Sequence, residues 1–266
     1  MTVMRPNGEQ NPLIVETHGG MVAVLRFNRP HVRNAVNVEL ARALGAAVAE
    51  VERDERIKVA ILTSSTDGMF CAGGDLSVVR EGRARELRLG EDGFAGFVDA
   101  IRTKPWIAAV DGPALGGGFE LCLACDMIVA SDRSRFGLPE VRWGLIAGAG
   151  GAHRLARRLP RNIAVEMLTT GEPLDAKAAA AFGFVNRIVA HGEVVEMALA
   201  IAERIAANAP LAVRESLALA RAGEDLSDAE LRRLSRERMA FIQASADAAE
   251  GPLAFTEGRL PRWTGR

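Results

Sequence analysis

Short continuous apolar runs alternate with stretches of helical spacing over most of the first ~190 residues, and this alternation constrains the fold most. Met21-Val22-Ala23-Val24-Leu25-Arg26-Phe27, closed by the Asn28-Arg29-Pro30 turn, reads as a strand. Val59-Ala60-Ile61-Leu62, Trp106-Ile107-Ala108-Ala109-Val110 and Asp126-Met127-Ile128-Val129-Ala130 read the same way. Between the first two, Val36, Leu40, Leu44, Ala47, Val48 and Val51 recur every three or four residues, which predicts an amphipathic helix over 37–53. A strand–helix alternation of this kind belongs to an α/β core.

The pattern changes twice. Residues 77–96 are charged, glycine-rich and weakly periodic, and predict a mobile or variable helix–loop insertion. After Val189 the chain turns to Ala, Leu, Arg and Glu, with helices predicted at 191–208, 210–222, 227–245 and 248–256. The break at Asn208-Ala209-Pro210 follows from proline's restriction of the residue before it. The expected organisation is a disordered segment 1–12, an α/β core 13–190 and a helical region 191–266 suited to assembly.

Composition removes several function classes. The net charge of -1 argues against non-specific nucleic-acid binding, which needs a basic surface. No apolar run is long enough and free enough of charge to predict a membrane span. The polar start, Met1 to Asn11, does not read as a signal peptide, so the cytoplasm is the expected location. Three cysteines fit free thiols in a reducing compartment. Cys122 and Cys125, in an apolar run and without a second ligand pair, read as buried hydrophobes, and no metal site is expected.

Four segments carry the chemistry. Gly116-Gly117-Gly118-Phe119-Glu120 places glycines before a helix, where free N–H donors and a partial positive charge suit a developing oxyanion. Ala72-Gly73-Gly74-Asp75 ends a loop after a strand and offers a second backbone donor. Phe136-Gly137-Leu138-Pro139-Glu140 opens a helix with a glutamate in its first turn. Gly144-Leu145-Ile146-Ala147-Gly148-Ala149-Gly150-Gly151 is glycine-rich but has neither the Gly-Lys-Ser/Thr of a P-loop nor a dinucleotide fingerprint. Singly, each glutamate can also be read as a group matched to a helix dipole, and for Glu140 alone the surface reading is the favoured one.

In this order the segments resemble the crotonase (enoyl-CoA hydratase/isomerase) family, from Phe27-Asn28-Arg29-Pro30 and Asn34-Ala35-Val36-Asn37 to Leu168-Thr169-Thr170-Gly171. The resemblance implies an α/β spiral of ββα turns with a C-terminal helical trimerisation region, and a homotrimer or homohexamer. It implies an acyl-CoA substrate, with coenzyme A part of the substrate and no separate cofactor. By the same resemblance, the Gly74 and Gly117 N–H groups form the oxyanion hole, Glu120 and Glu140 are the catalytic pair, and the Gly148 backbone helps hold water. Coenzyme A is expected along His31, Val32, Arg33 and Ala72, with Asp75 and Leu76 beside it.

Two departures from the family pattern stand out. The C-terminal stretch Phe255-Thr256-Glu257-Gly258-Arg259 has glycine where many hydratases carry lysine, which leaves Phe255 and Arg259 as the expected coenzyme contacts. Ala147 replaces the common proline before Gly148. Glu250-Gly251-Pro252-Leu253-Ala254-Phe255 and Gly93-Phe94-Ala95-Gly96-Phe97 look like carnitinyl-CoA dehydratases, which use the same glutamate pair. The implied reaction is reversible hydration of a trans-2-enoyl-CoA. A carnitinyl-CoA dehydratase reaction, an isomerase on the same fold and a non-catalytic RNA-binding relative are the alternatives.

Overall fold

A computed structural model describes residues 11–266. A six-stranded sheet forms its centre, in the order β1 (Leu13–His18), β2 (Val22–Phe27), β3 (Val59–Ser64), β4 (Trp106–Val110), β6 (Met127–Ser131) and β9 (Arg187–Val189). β1 pairs antiparallel with β2, and every later pair is parallel. A smaller sheet joins β5 (Pro113–Leu115), β7 (Arg135–Gly137) and β8 (Leu174–Asp175).

The continuous apolar runs have a simple physical origin. Both faces of the large sheet are covered, so neither alternate set of side chains can be polar. Leu25, Ala60, Leu62, Ala108 and Ala130 face the main core, which α1 (Val38–Arg53) helps to close. Val24, Val59, Ile61, Ala109 and Val129 face the other way, onto Val194, Ala198 and Ala202 of α7 (Val194–Ala206). Asn37 caps α1, its side chain accepting from the Leu40 N–H at 2.9 Å. The buried Lys104 closes the other end by donating to the Val51 carbonyl and, at 2.7 Å, to the Asp54 carbonyl.

The spiral arises because successive strands leave the large sheet for the small one. β4 passes directly into β5 and then α3 (Gly117–Ala124); β6 passes into β7 and then a 3-10 turn, Pro139–Trp143. From there α4 (Gly151–Arg158) and α5 (Arg161–Thr170) lead to β8, and α6 (Ala176–Ala181) returns the chain to β9. Bridges between Cys71 and Ala114, and between Val36 and Gly74, extend the second layer. The loops with the expected chemistry are thereby stacked.

Several expectations change. α7 covers the large sheet, so the first helix of the region 191–266 belongs to the core; the helices with little buried surface are α8 (Pro210–Ala222) and α9 (Asp228–Gln243). The expected insertion 77–96 is a folded part of the core. Val78, Leu87, Phe94 and Ala95 are buried, and the segment forms α2 (Leu76–Arg80) and two 3-10 turns. The expected disordered lead-in lies mostly outside the described residues. Asn11 and Pro12, its last two, accept hydrogen bonds from Asn28. No described helix is long and apolar enough to cross a membrane.

Candidate active site

Two loops bring the expected donors together. Asn34 is fully buried, and its amide donates to Ser64 Oγ at 2.7 Å and to the Phe70 carbonyl at 3.0 Å. Its side-chain oxygen accepts from the Arg29 N–H at 2.8 Å. These bonds tie the 29–34 turn to the 64–70 segment that leads to Gly74. Gly73 then turns with φ +98°, a conformation that a side chain resists, and a Cβ there would stand 3.0 Å from the Gly117 nitrogen. A Cβ on Gly117 would lie 3.4 Å from the Gly74 nitrogen, so the two backbones converge. The same Cβ would strike the Phe94 ring at 2.6 Å, so a side chain at Gly117 would require that ring to move.

Glu120 stands one turn into α3 and is 4% exposed. Its Oε1 accepts from the Ala149 N–H at 2.7 Å and the Gly151 N–H at 2.8 Å. Burial pushes its pKa from 4.5 to about 7. The Gly151 and Ala149 hydrogen bonds oppose the shift, and the charge on Glu140 adds to it. Glu140, in the Pro139–Trp143 turn, is also raised by burial, and its Oε2 is buried with no hydrogen-bond partner. Its Oε1 would lie 3.2 Å from a Cβ on Gly116, which puts it against the glycine run that opens α3.

Both glutamates line one cavity of about 280 Å³, together with Gly74 and Gly117. Leu76, Val79, Leu87 and Phe94 supply much of its apolar wall. Two carboxyl groups on one cavity, both raised mainly by burial, are suited to exchanging protons with one substrate.

The remaining expected residues divide. Ala72 and Leu76 line the cavity. His31, Val32 and Arg33 lie at a 3-10 turn, and the Arg33 carbonyl accepts from the Ala72 N–H at 3.0 Å, so that segment adjoins the cavity. Asp75 plays a different part, because its carboxylate caps α2 through Ser77 and pairs with Arg29 at 3.2 Å. Gly148 is not at a helix start, because α4 begins at Gly151, and its carbonyl accepts from Arg88 at 3.2 Å. From the same loop, the Ala149 and Gly151 N–H groups donate to Glu120.

Phe255 and Arg259 do not line the cavity in the single chain. Phe255 is 88% exposed, and Arg259 is paired with Glu250 at 2.6 Å and with Glu257. That guanidinium already has partners, which weakens it as a substitute for the missing lysine. Gly258 ends α10 (Ala246–Glu257) in the left-handed conformation, which favours glycine over lysine there. Asp67, Asp111 and His191 form a separate cluster outside the cavity lining, with His191 bonded to Asp111 at 2.8 Å and to Asp67 at 3.0 Å.

Comparison with known proteins places this geometry in a family. The enoyl-CoA hydratase/isomerase family profile matches residues 17–266. A carnitinyl-CoA dehydratase of Proteus mirabilis is 40% identical over 259 residues, covering 96% of this chain and 98% of that protein. The crystal structure of an enoyl-CoA hydratase from Mycobacterium marinum superposes with a TM-score of 0.92 at 40% identity, over 96% of this chain and all (100%) of that one. A carnitinyl-CoA hydratase from Mycobacterium avium is 44% identical with a TM-score of 0.76, over 97% and 100% of the two chains. The α/β spiral expected from the sequence is the fold observed, and the chain belongs to the enoyl-CoA hydratase/isomerase family.

Proposed function

We propose that this hydro-lyase reversibly adds water to a trans-2-enoyl-CoA thioester to give a 3-hydroxyacyl-CoA. One observation carries the reading: the buried Glu120 and the half-buried Glu140, both raised by burial, share a cavity with the closely approaching backbones of Gly74 and Gly117.

In this mechanism the thioester oxygen accepts from the Gly74 and Gly117 N–H groups. Those donors stabilise the negative oxygen that forms as the double bond is attacked. Glu120, held by Ala149 and Gly151, takes a proton from water. The hydroxyl bonds to the β-carbon, and the double-bond electrons move toward the thioester. Glu140 gives its proton to the α-carbon. One water is consumed, and the proton gained by Glu120 balances the one lost by Glu140. The reverse sequence is dehydration. Coenzyme A lies along His31, Val32 and Arg33 beside Ala72.

The chain works as a homotrimer or homohexamer. Support comes from α8 and α9, which have no fully buried residue, and from the exposure of Met239, Phe241, Leu253 and Phe255. Light scattering of the purified protein tests this, and a monomer as the active species would overturn it.

Hydration of crotonyl-CoA by the parent, Glu120→Gln and Glu140→Gln proteins tests the chemistry. Each variant is expected to lose at least about 100-fold in kcat, the scale of one acid–base group. Near-normal turnover in either would remove that residue from the mechanism. A carnitinyl-CoA dehydratase reaction is the second reading, favoured by relatives of that name at 37–40% identity, and it uses the same pair.

A further inference from the structure

Among the described residues, the cavity has one basic side chain on its wall. Arg88 follows the 3-10 turn Ala84–Leu87, and its strand-like bridge to Phe94 fixes it beside the ring that packs on Gly117. Its Nη1 donates to the Gly148 carbonyl at 3.2 Å. Gly148 immediately precedes Ala149, whose N–H holds Glu120, so a single peptide unit separates the guanidinium from that carboxyl.

The charge on Arg88 is only partly matched. Its nearest carboxylate is Asp99, at 3.7 Å, and Asp99 is engaged more closely by Arg154 at 3.0 Å. Two guanidinium groups thus share one carboxylate, leaving a net positive charge at this wall. The remaining donors on Arg88 are available to an acceptor entering the cavity, and the side chain is 49% exposed. Most of the other lining residues are apolar or glycine, and the two other ionisable groups are the buried Glu120 and the half-buried Glu140.

We propose that Arg88 is a specificity residue and that the preferred substrate is a short 2-enoyl thioester ending in a carboxylate. The inference rests on the hydratase reading above. A guanidinium offers a carboxylate strong charge-assisted bonds. We place the acidic end a few carbons beyond the β-carbon, because one peptide unit separates the Gly148 carbonyl that Arg88 holds from the Ala149 N–H that holds Glu120. A quaternary ammonium end would meet like charge at the same wall. The geometry therefore disfavours the cationic acyl group that the carnitinyl-CoA reading requires.

The test compares kcat/KM of the full-length protein on three thioesters: crotonyl-CoA, the five-carbon 2-enedioyl (glutaconyl) thioester and crotonobetainyl-CoA. The carboxylate is expected to exceed the neutral substrate by about tenfold or more, chiefly through KM, with the cation last. In Arg88→Met the ratios should collapse toward one, and in Arg88→Glu the cation should overtake the carboxylate. Arg88→Lys should restore part of the preference. Equal proportional losses on all three thioesters would show that Arg88 merely braces the Gly148 loop, and would overturn the proposal. A parent preference for the cation would overturn it equally. Failure to hydrate any of the three would instead remove the hydratase reading, and this inference with it. Normal crotonyl-CoA turnover without acyl discrimination would remove this inference alone.

Discussion

Glu120→Gln is expected to stabilise the fold, and to do so increasingly as pH rises. Glu120 is 4% exposed, and its carboxyl is raised from 4.5 to about 7 by burial. A carboxyl raised on folding contributes stability that is fully present below pH 4.5 and is lost as pH rises through about 7. Above that range the charged form costs roughly 3 kcal/mol, from about 1.4 kcal/mol for each tenfold change in the ionisation constant. Glutamine carries no charge, and its carbonyl oxygen can still accept from the Ala149 and Gly151 N–H groups. The gain should therefore be near zero at acid pH and approach roughly 2–3 kcal/mol on the alkaline side. For a chain of this length 1 kcal/mol moves Tm by roughly 2 °C. Scanning calorimetry of parent and variant, at one fixed protein concentration, should show a Tm difference that widens by roughly 4–6 °C from mildly acid to mildly alkaline buffer. Crotonyl-CoA hydration should fall at the same time. A Tm difference that stays flat, or narrows, with rising pH would refute the argument that burial of the charge raises this group.

Other perturbations follow from single contacts. Gly117→Ala would press a methyl group into the Phe94 ring, 2.6 Å away, so kcat/KM for crotonyl-CoA should drop at least about tenfold as the donor is displaced; combining it with Phe94→Leu should recover part of the loss. Lys104→Met leaves the Val51 and Asp54 carbonyls at the end of α1 without their donor, and urea denaturation should show a loss of about 2–4 kcal/mol. His191 is raised above 6.5, first by its hydrogen bond to Asp111 and then by the charge on that residue. Its contribution is fully present below pH 6.5 and is lost as pH rises through the raised folded value, so His191→Ala should destabilise more in acid buffer than in alkaline buffer. Equal shifts of the denaturation midpoint at both ends would refute that.

Much of this fold is legible along the chain. The strands at 22–27, 59–64, 106–110 and 127–131 are evident because both sheet faces are buried, which leaves unbroken apolar runs. α1 is evident because one of its faces is buried and the other is wet. Short strands such as Pro113–Leu115 and Leu174–Asp175 leave no such trace, since two or three residues set no period. The segment 77–96 misleads for a related reason. Val78, Leu87 and Phe94 are buried at irregular spacing among charges, and no window of that stretch has a helical or strand period.

Residue type and order, with two glutamates and two glycine loops among the matching segments, are enough to place the chain in its family. What they do depends on distances that only folding creates. Glu120 has its raised pKa because the core excludes water from it, and it is aimed by N–H groups 29 and 31 residues further along the chain. Asp75, equally acidic and next to Gly74 on the cavity wall, instead caps α2. Arg88 is one more charge in a polar stretch until the turn places it on the cavity wall. Composition and spacing are local properties, whereas burial, electrostatic neighbours and the aim of a donor are long-range ones. For that reason the family can be read along the chain, and the acyl group has to be read across the cavity.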